Sequence, residues 1–186
     1  MKHSRKEIEK LHQSGKKLKY LFFWGHQASR SGDITSSCFS QWWNSKFTHE
    51  GISCRTTEHW MMAEKARLFN DQDSLIKILN AKSPGEAKKW GRSVIGFKQD
   101  TWEEHRFRIV VLGNYLKFTQ NAALETYLLN TKNRVLVEAS PVDRIWGIGI
   151  DGQHEFATVP TKWKGLNLLG FALMEVRDLI LQGRRP

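Results

Sequence analysis

The chain has 186 residues, 40% of them hydrophobic and 11% aromatic, which fits one domain of ordinary size with a buried core. Lys and Arg number 29 against 19 Asp and Glu, and the resulting net charge of +10 favours phosphorylated or polyanionic ligands. Two cysteines are too few for a disulfide framework, and no apolar run fits a signal peptide or a spanning helix. We therefore expect a cytoplasmic protein without a membrane partner.

Basic side chains are concentrated in the first twenty residues, where seven Lys and Arg stand against Glu7 and Glu9. Such a segment can attract phosphates, but a solvated, partly frayed helix is the more common explanation. We predict a basic, helical extension over residues 1–19.

Turn and cap signals predict a chain rich in helices. Ser83-Pro84-Gly85-Glu86 combines a capping Ser, a Pro at the first helical position and a capping-box Glu. Thr101-Trp102-Glu103-Glu104 has the same capping-box spacing. The predicted helices run from about Glu58 to Phe69, from Ser74 to Asn80, from Pro84 onward, from Thr101 to Phe118, from an Asn121 cap to Leu129, and from Leu166 to Leu181.

A small β element is expected late in the chain. Arg134 to Ala139 is short and rich in β-formers, which predicts a strand, and Pro141 to Gly152 has the composition of a turn and loop. The predicted fold class is therefore mainly α with a small β element.

Several common motifs are absent or out of context. Gly147 to Gly152 matches the spacing GxGxxG, but no helix follows it, so we exclude a dinucleotide-binding loop. No HxxxH or CxxC pair is present, and neither is a nucleophile elbow nor a Walker loop, so we predict no metal site.

Two charged residues interrupt the apolar face of the helix from Glu58 to Phe69. At 100° per residue, Glu58 and Lys65 fall on the face that also carries Met61, Met62, Ala66, Leu68 and Phe69, while Trp60, Glu64 and Arg67 point away. Unpaired buried charge is expensive, so such groups are paired, functional or able to reach solvent. One charge on such a stripe favours a structural explanation, but two favour function.

The helix that follows Thr101 shows the same anomaly. Trp102, Arg106 and Gly113 lie in one row with Ile109 and Leu116. An inward Arg suits a phosphate or a carboxylate such as Glu58, and Gly113 leaves room for close packing. Trp102 fits either core packing or stacking on a planar base.

Three further charged residues are candidates for ligand contacts. Lys88 and Arg92, one helical turn apart, fit a phosphate clamp, although a solvated face is the more frequent reason for such a pair. Asp143 follows the predicted strand in a loop, where carboxylates serve either function or turn formation.

Taken in order, many segments of the chain resemble the NADAR (YbiA-like) family over about residues 20–180. They are Phe22-Phe23-Trp24-Gly25-His26, Phe39-Ser40-Gln41-Trp42, Thr56-Thr57-Glu58-His59-Trp60-Met61-Met62-Ala63-Glu64-Lys65-Ala66, Ala87-Lys88 with Gly91-Arg92, Trp102 with Arg106, Lys117-Phe118-Thr119-Gln120-Asn121, Leu136-Val137-Glu138-Ala139-Ser140, Asp143, Trp146-Gly147-Ile148-Gly149 and Gly165-Leu166-Asn167-Leu168-Leu169-Gly170. The resemblance implies one mainly helical domain, which we place at residues 20–182.

The resemblance also implies hydrolysis of the N-glycosidic bond in a ribosylated amine. Family members act on early riboflavin-pathway ribosylamino-pyrimidinone 5′-phosphates or remove ADP-ribose from guanine. The positions that match the family's functional residues are Glu58, Lys65, Trp102 and Asp143. We assign catalysis to Glu58, Lys65 and Asp143, and substrate binding to Trp102, Arg92, Arg106, Trp146, Phe23, Gly25 and Asn121.

Two departures from the family pattern bear on substrate preference. Cys54 stands where many members have Tyr, and Lys132 replaces a Gly that is usual after the Leu-Leu-x-Thr turn. We expect each to alter the choice of substrate more than the chemistry.

Two chemical routes are open. Glu58 or Asp143 could activate water while another group protonates the leaving amine, or Lys65 could attack C1′ of the opened sugar to form a Schiff base. Neither requires a metal or an organic cofactor. The expected partner is a phosphorylated ribosyl substrate, either a small molecule or ADP-ribosylated DNA or RNA, and the alternative function is a non-catalytic reader of ADP-ribose or modified nucleic acid.

Overall fold

The computed structural model describes residues 2–186, which contain seven α-helices and four short β-strands, so the predicted mainly α class is confirmed. The helices are α1 (Arg5–Gln13), α2 (Thr57–Leu68), α3 (Gln72–Asn80), α4 (Pro84–Arg92), α5 (Gln99–Thr119), α6 (Ala122–Leu129) and α7 (Leu168–Leu181), and the strands are β1 (Tyr20–Phe23), β2 (Phe47–His49), β3 (Ile52–Cys54) and β4 (Val135–Glu138). No helix within residues 2–186 is both long and apolar enough to cross a membrane. The chain divides into two units, one formed by residues 2–40 and Ala123–Arg185 and the other by Gln41–Ala122.

A two-stranded parallel sheet lies in the first unit. β1 pairs with β4 in the register Tyr20↔Val135 to Phe23↔Glu138. β4 is the predicted strand, whereas β1 was not predicted, because four aromatic and apolar residues show no helical or strand period. α7 packs closely on β4, since a Cβ atom at Gly170 would come within 2.1 Å of the Leu136 carbonyl oxygen.

Asn167 sets the start of α7. The helix begins at Leu168, two residues after the predicted start at Leu166. The backbone of Asn167 is left-handed, with φ 56°, so the helix begins only after it. Its buried side chain bonds to β4, where Nδ2 donates to the Leu136 carbonyl at 3.0 Å and Oδ1 accepts from the Glu138 amide at 2.9 Å. These two bonds take the place of a ladder partner and fix the end of β4.

The basic N-terminal segment is helical, as predicted, but it is tied down rather than frayed. Ser4 caps α1 by accepting a hydrogen bond from the Glu7 amide. His3 Nε2 lies 3.0 Å from the Asp178 carboxylate of α7, and Ile8 is buried. The buried Ile8 and the polar contacts of Lys2 and His3 with Glu175 and Asp178 of α7 thus hold the segment to the first unit.

Lys132 also lies in this unit and adopts a left-handed backbone with φ 53°. This conformation favours glycine, because a Cβ atom crowds the following carbonyl. A glycine would take this conformation without strain, so position 132 has a conformational role in the turn after α6, and its effect on substrate choice stays a prediction.

α2 is the central helix of the second unit, where it packs against α3, α4 and α5. Every residue from Thr57 to Ala63 is buried, so the expected division into an apolar and a solvated face is wrong for this stretch. Trp60, expected to point to solvent, packs in an apolar cluster with Phe47 and Cys54. The sequence of α2 alone does not show that a second apolar layer, formed by β2, β3 and α5, covers the side of the helix that carries Trp60.

α5 begins at Gln99, two residues before the predicted capping box at Thr101. Its cap residue is Lys98, which makes no side-chain capping bond. Asp100 in the first turn suits the helix dipole, and Gln99 Nε2 donates to Glu103 Oε1 at 2.6 Å. These contacts extend the helix backward, so Thr101 lies inside its first turn.

β2 and β3 form a hairpin that was not predicted. Glu50 and Gly51, between the two strands, both have positive φ, of 48° and 78°, as in a type I′ turn. Gln120 closes the other side of β2 by exchanging two hydrogen bonds with the Thr48 backbone. Strands of three residues are too short to show a period of two, so this hairpin left no clear pattern.

Gly113 allows the close packing of α2 on α5 that its position predicted. A Cβ atom there would lie 2.2 Å from Cδ1 of Trp60, whose Nε1 donates to the Ile109 carbonyl at 2.9 Å. Because this hydrogen bond holds the indole, the ring cannot move aside without losing it.

We therefore expect Gly113→Ala to lower the free energy of unfolding by about 1–3 kcal/mol through overpacking. Gly85→Ala in α4 is the matched control, since its Cβ would meet Trp42 at an ordinary 3.6 Å. The control should change stability by no more than about 1 kcal/mol. Urea unfolding of both variants measures the difference, and equal stabilities would contradict the packing described.

Candidate active site

Glu58 lies in the first turn of α2 and is 2% exposed. Its amide donates to the Gln41 carbonyl at 3.0 Å, and the preceding cap residue, Thr56, accepts from the His59 amide. The positive end of the helix dipole favours a carboxylate here. The sequence thus places the Glu58 carboxylate at the N-terminus of a buried helix, which is the end that stabilises a negative charge.

His59 holds this turn in place. Its Nε2 donates to the Ala81 carbonyl at 3.1 Å, because a carbonyl can only accept, and its Nδ1 therefore accepts from the Thr56 hydroxyl at 2.8 Å. Burial lowers the pKa of His59, which keeps the imidazole neutral in this arrangement. The ring thus links the cap of α2 to the end of α3 without adding charge beside Glu58.

Lys65 lies two turns further along α2 and is half-buried. Its Nζ donates to the Gly91 carbonyl at 2.8 Å and lies 4.2 Å from the centre of the Phe97 ring and 5.8 Å from that of Trp102. Burial lowers the pKa of Lys65 from its usual value. One hydrogen-bond acceptor and two aromatic rings therefore surround an amine that loses its proton more readily than a solvated lysine.

Gly91 is required for this contact. A Cβ atom at Gly91 would lie 2.0 Å from Sδ and 2.7 Å from Cγ of Met62, so a side chain there would force either Met62 or α4 to shift. The separation of the two helices sets the position of the Gly91 carbonyl relative to the Lys65 amine.

Trp102 and Arg106 follow one another by one turn on α5, and both are buried, as the helical row predicted. Trp102 contributes its ring to the surroundings of Lys65. Nη1 of Arg106 lies 3.4 Å from Glu103 Oε1, an ion pair within the helix. A guanidinium with five N–H donors has capacity beyond one such contact.

Arg92 and Lys88 lie on α4, the helix that also contains Gly91. Arg92 is exposed and directly follows Gly91, whose carbonyl receives the Lys65 hydrogen bond. Lys88 Nζ is 5.8 Å from the Trp42 ring. The second unit thus brings together Lys65, Trp102 and the residue next to Arg92, and the roles of these side chains stay predictions.

Asp143 lies in the first unit, in the loop after β4, and its side chain organises that loop. Oδ1 accepts from the amides of Ile145 and Trp146 at 2.8 and 2.7 Å, and the Asp143 amide donates to Ser140 Oγ at 3.1 Å. Asp143 therefore has the turn-forming role that the sequence allowed. A carboxylate held by two backbone amides is also fixed in direction, as a catalytic group must be.

Phe23, Gly25 and Trp146 lie at the same edge of the sheet as Asp143. β1 ends at Phe23 and β4 ends at Glu138, its register partner, so both parallel strands present their carboxyl ends there. In parallel sheets this edge is where ligands commonly bind. Phe23 itself is buried and packs on Phe39, whereas Gly25 is exposed with φ 81°.

Asn121, assigned to substrate binding and expected to cap α6, directly precedes that helix. Its Nδ2 donates to the carbonyls of Lys117 and Lys46 at 2.7 and 3.3 Å. These bonds close the end of α5, which is a structural task, and the substrate contact stays a prediction.

One residue with a bearing on the site has no clear signal in the sequence. Phe97 lies in the loop before α5, where no period indicates the direction of a side chain, and yet its ring is the group nearest to the Lys65 amine among the aromatic contacts.

Metal ligation has no clear basis in the side chains. Within residues 2–186 no three His, Cys, Asp or Glu side chains converge in a way that could hold an ion. Cys38 and Cys54 are both buried, and burial raises the pKa of the Cys54 thiol to about 11.

Comparison with known proteins identifies a family. The NADAR domain model matches residues 22–181. N-glycosidase R617 of Acanthamoeba polyphaga mimivirus is 41% identical over 165 residues, covering 86% of this chain and 95% of the relative. The riboflavin biosynthesis protein PYRR of Arabidopsis thaliana is 37% identical over 110 residues, covering 57% of this chain and 16% of that protein. The NMR structure of the E. coli protein YbiA matches with a TM-score of 0.70 at 27% identity, over 89% of this chain and 86% of that one.

Proposed function

The chain belongs to the NADAR family, and on that premise we propose that it is an N-glycosidase that cleaves the C1′–N bond of a ribosylated amine. R617, similar over nearly its whole length, carries the name N-glycosidase. The observation that carries the proposal within this chain is the Lys65 amine, which is held by the Gly91 carbonyl and covered by aromatic rings.

A desolvated lysine suits a covalent route. The ribosylamine opens to an imine at C1′, the neutral Lys65 amine adds to C1′, and the base leaves with its nitrogen after gaining a proton. Water then adds to the Lys65 imine, the C1′–Nζ bond breaks, and the sugar is released as its aldehyde, which closes to the ring form. The lowered pKa of Lys65 supplies the unprotonated amine that the attack needs.

Glu58 and Asp143 are the proposed acid–base groups for the proton transfers of this route, or for direct activation of water in the alternative route. Trp102 would stack on the base, and Arg92 and Arg106 would bind phosphate. Neither route uses a metal or an organic cofactor.

ADP-ribosylated guanine is the substrate we favour. The net charge of +10 suits a ligand with several phosphates, or one attached to DNA or RNA. The alternative is a ribosylamino-pyrimidinone 5′-phosphate, which the similarity to a riboflavin biosynthesis protein supports. A non-catalytic reader of ADP-ribose is the second candidate function, although binding alone gives no reason to enclose both Glu58 and Lys65.

The test of the function is release of the free base. We expect the purified protein to release guanine or the pyrimidinone from one of these substrates, and Lys65→Ala to reduce the rate by about a thousandfold or more, since a covalent step is lost. Lys77→Ala on the neighbouring helix α3 is the matched control, because Lys77 Nζ also lies near an aromatic ring, 4.9 Å from that of Trp90 on α4, but has no assigned part in the reaction, so turnover should be unchanged. Binding without turnover on every substrate would favour the reader.

The same assay separates the substrate classes. On ADP-ribosylated DNA or RNA, raising salt from about 50 to 200 mM should weaken apparent affinity steeply, because several counterions are released. Replacement of the exposed Lys6, Lys10, Lys16 and Lys17 by Gln, which keeps the buried Ile8 anchor, should weaken affinity further with the chemical step unchanged. A free nucleotide-like substrate meets only one or two charges, so a flat response to both changes would indicate that class.

Glu58→Gln should lower turnover by about a hundredfold or more with substrate affinity retained, the usual loss for an acid–base group. Glu64→Gln on the same helix is the control, because Glu64 pairs with Arg67 and has no assigned part in the reaction. Steady-state kinetics of both variants give kcat and KM separately. Lost affinity with normal kcat would reassign Glu58 to substrate positioning.

A further inference from the structure

We propose that Asp71 is a positioning residue for the active-site lysine: by accepting a hydrogen bond from the Ile95 amide, it holds residues 95–97 so that Phe97 covers the Lys65 amine. The inference depends on the proposed function only in calling Lys65 a catalytic residue. The contacts that support it all lie within the second unit.

Asp71 joins three elements of this unit. It is 8% exposed, and its own amide donates to the Ala66 carbonyl of α2 at 2.9 Å. Oδ1 accepts from the Ser74 amide at 3.0 Å, which caps α3, and Oδ2 accepts from the Ile95 amide at 2.9 Å, 24 residues further along the chain. These hydrogen bonds lower the pKa of Asp71, so the carboxylate stays ionised. Each oxygen therefore has a separate structural task.

The segment that Asp71 holds has little burial of its own. Ile95 is 76% exposed and Phe97 is 40% exposed, and between them Gly96 has φ 71°. Phe97 contacts Phe69 edge to face, with ring centres 5.3 Å apart. Since so little apolar area fixes this loop, the hydrogen bond from the Ile95 amide to Asp71 has a large share in its position.

Phe97 in turn shapes the surroundings of Lys65, because its ring centre is 4.2 Å from Nζ. An aromatic face attracts a cation, which raises the pKa of a lysine, but it also excludes water, which lowers it. Burial lowers the pKa of Lys65, and the Phe97 ring over the amine contributes to that burial. Loss of the Phe97 ring should therefore return the pKa of Lys65 toward its solvated value.

The charge of Asp71 and the position of Phe97 affect the pKa of Lys65 in opposite directions, which makes the proposal testable. Removing the negative charge of Asp71 lowers the pKa of a nearby lysine through space, whereas release of Phe97 raises it. Asp71→Asn is the informative variant, because an Asn can still cap α3 with its one carbonyl oxygen but offers no second acceptor to Ile95. The charged side chains that flank these contacts in the sequence are Glu64 and Arg67 on α2, Asp73 on α3, Arg92 on α4, Lys98 next to Phe97, and Glu103 and Arg106 on α5.

The experiment measures the pKa of Lys65 without substrate. Wild type, Asp71→Asn, Phe97→Ala and Asp73→Asn are acetylated briefly over a range of pH, and mass spectrometry follows the Lys65 peptide. We expect Asp71→Asn and Phe97→Ala each to raise the pKa by about one pH unit, which leaves about tenfold less neutral amine at neutral pH. Asp73→Asn, with the same loss of charge at an exposed neighbour, should not raise it.

Two further readouts separate positioning from a general loss of structure. In the turnover assay the rising limb of kcat/KM against pH should move to higher pH by the same amount in Asp71→Asn and Phe97→Ala. The double variant should shift no further than either single one, because both act through the same ring. Phe97 is largely exposed, so Phe97→Ala remains informative even if Asp71→Asn folds poorly.

An unchanged or lower pKa of Lys65 in Asp71→Asn would overturn the proposal, and so would a shift in Asp71→Asn that Phe97→Ala does not reproduce. Failure of the proposed function gives a different pattern. In that case the acetylation shifts occur as expected, but the wild type releases no base from any ribosylated substrate.

Discussion

The contact between α2 and α4 at Gly91 is the constraint on which the candidate site depends. A side chain at Gly91 would force a shift either of Met62 or of the backbone that carries the Gly91 carbonyl, the acceptor of the Lys65 hydrogen bond. A lysine on a solvated helix face is protonated at neutral pH and is a poor nucleophile. Close packing of two helices, together with two aromatic rings, is what removes water from this one and lowers its pKa.

The rest of the second unit supports α2 from every side. α3 is joined to the start of α2 by the neutral His59 imidazole and to its end by Asp71, while α5 meets α2 where Gly113 admits the Trp60 ring. Because its first turns are enclosed, α2 carries Glu58 and Lys65 as rigid parts of a helix rather than on a loop. In the first unit, Asn167 and the turn around Asp143 fix the loop after β4 by hydrogen bonds to backbone amides and carbonyls. Directional groups held by backbone bonds keep their geometry while substrate binds and leaves.

Much of this could be predicted from the sequence, and the limits have physical causes. Charges at Glu58, Lys65 and Arg106 on apolar stripes, and a glycine at 113, are visible in a helical projection because they break a period. The cap signal at Ser83 also located the start of α4, since it acts through a contact only three residues away. Phe97, the Gly91 carbonyl and the Asp71–Ile95 bond could not be found in that way, because each depends on residues 20 or more positions apart or on backbone atoms. The position of Thr101 was misjudged for the opposite reason, since a short local motif was outweighed by other contacts in the same turn.

The central claim is that the amine of Lys65 forms a covalent bond to C1′ during turnover, and reductive trapping tests it most directly. Borohydride added while the protein turns over its ribosylated substrate should convert the imine to a stable secondary amine. Mass spectrometry should then find the added sugar on the peptide that contains Lys65, and the Lys65→Ala protein should carry none. Normal base release with no adduct on Lys65 would contradict the claim and leave activation of water by a carboxylate as the route.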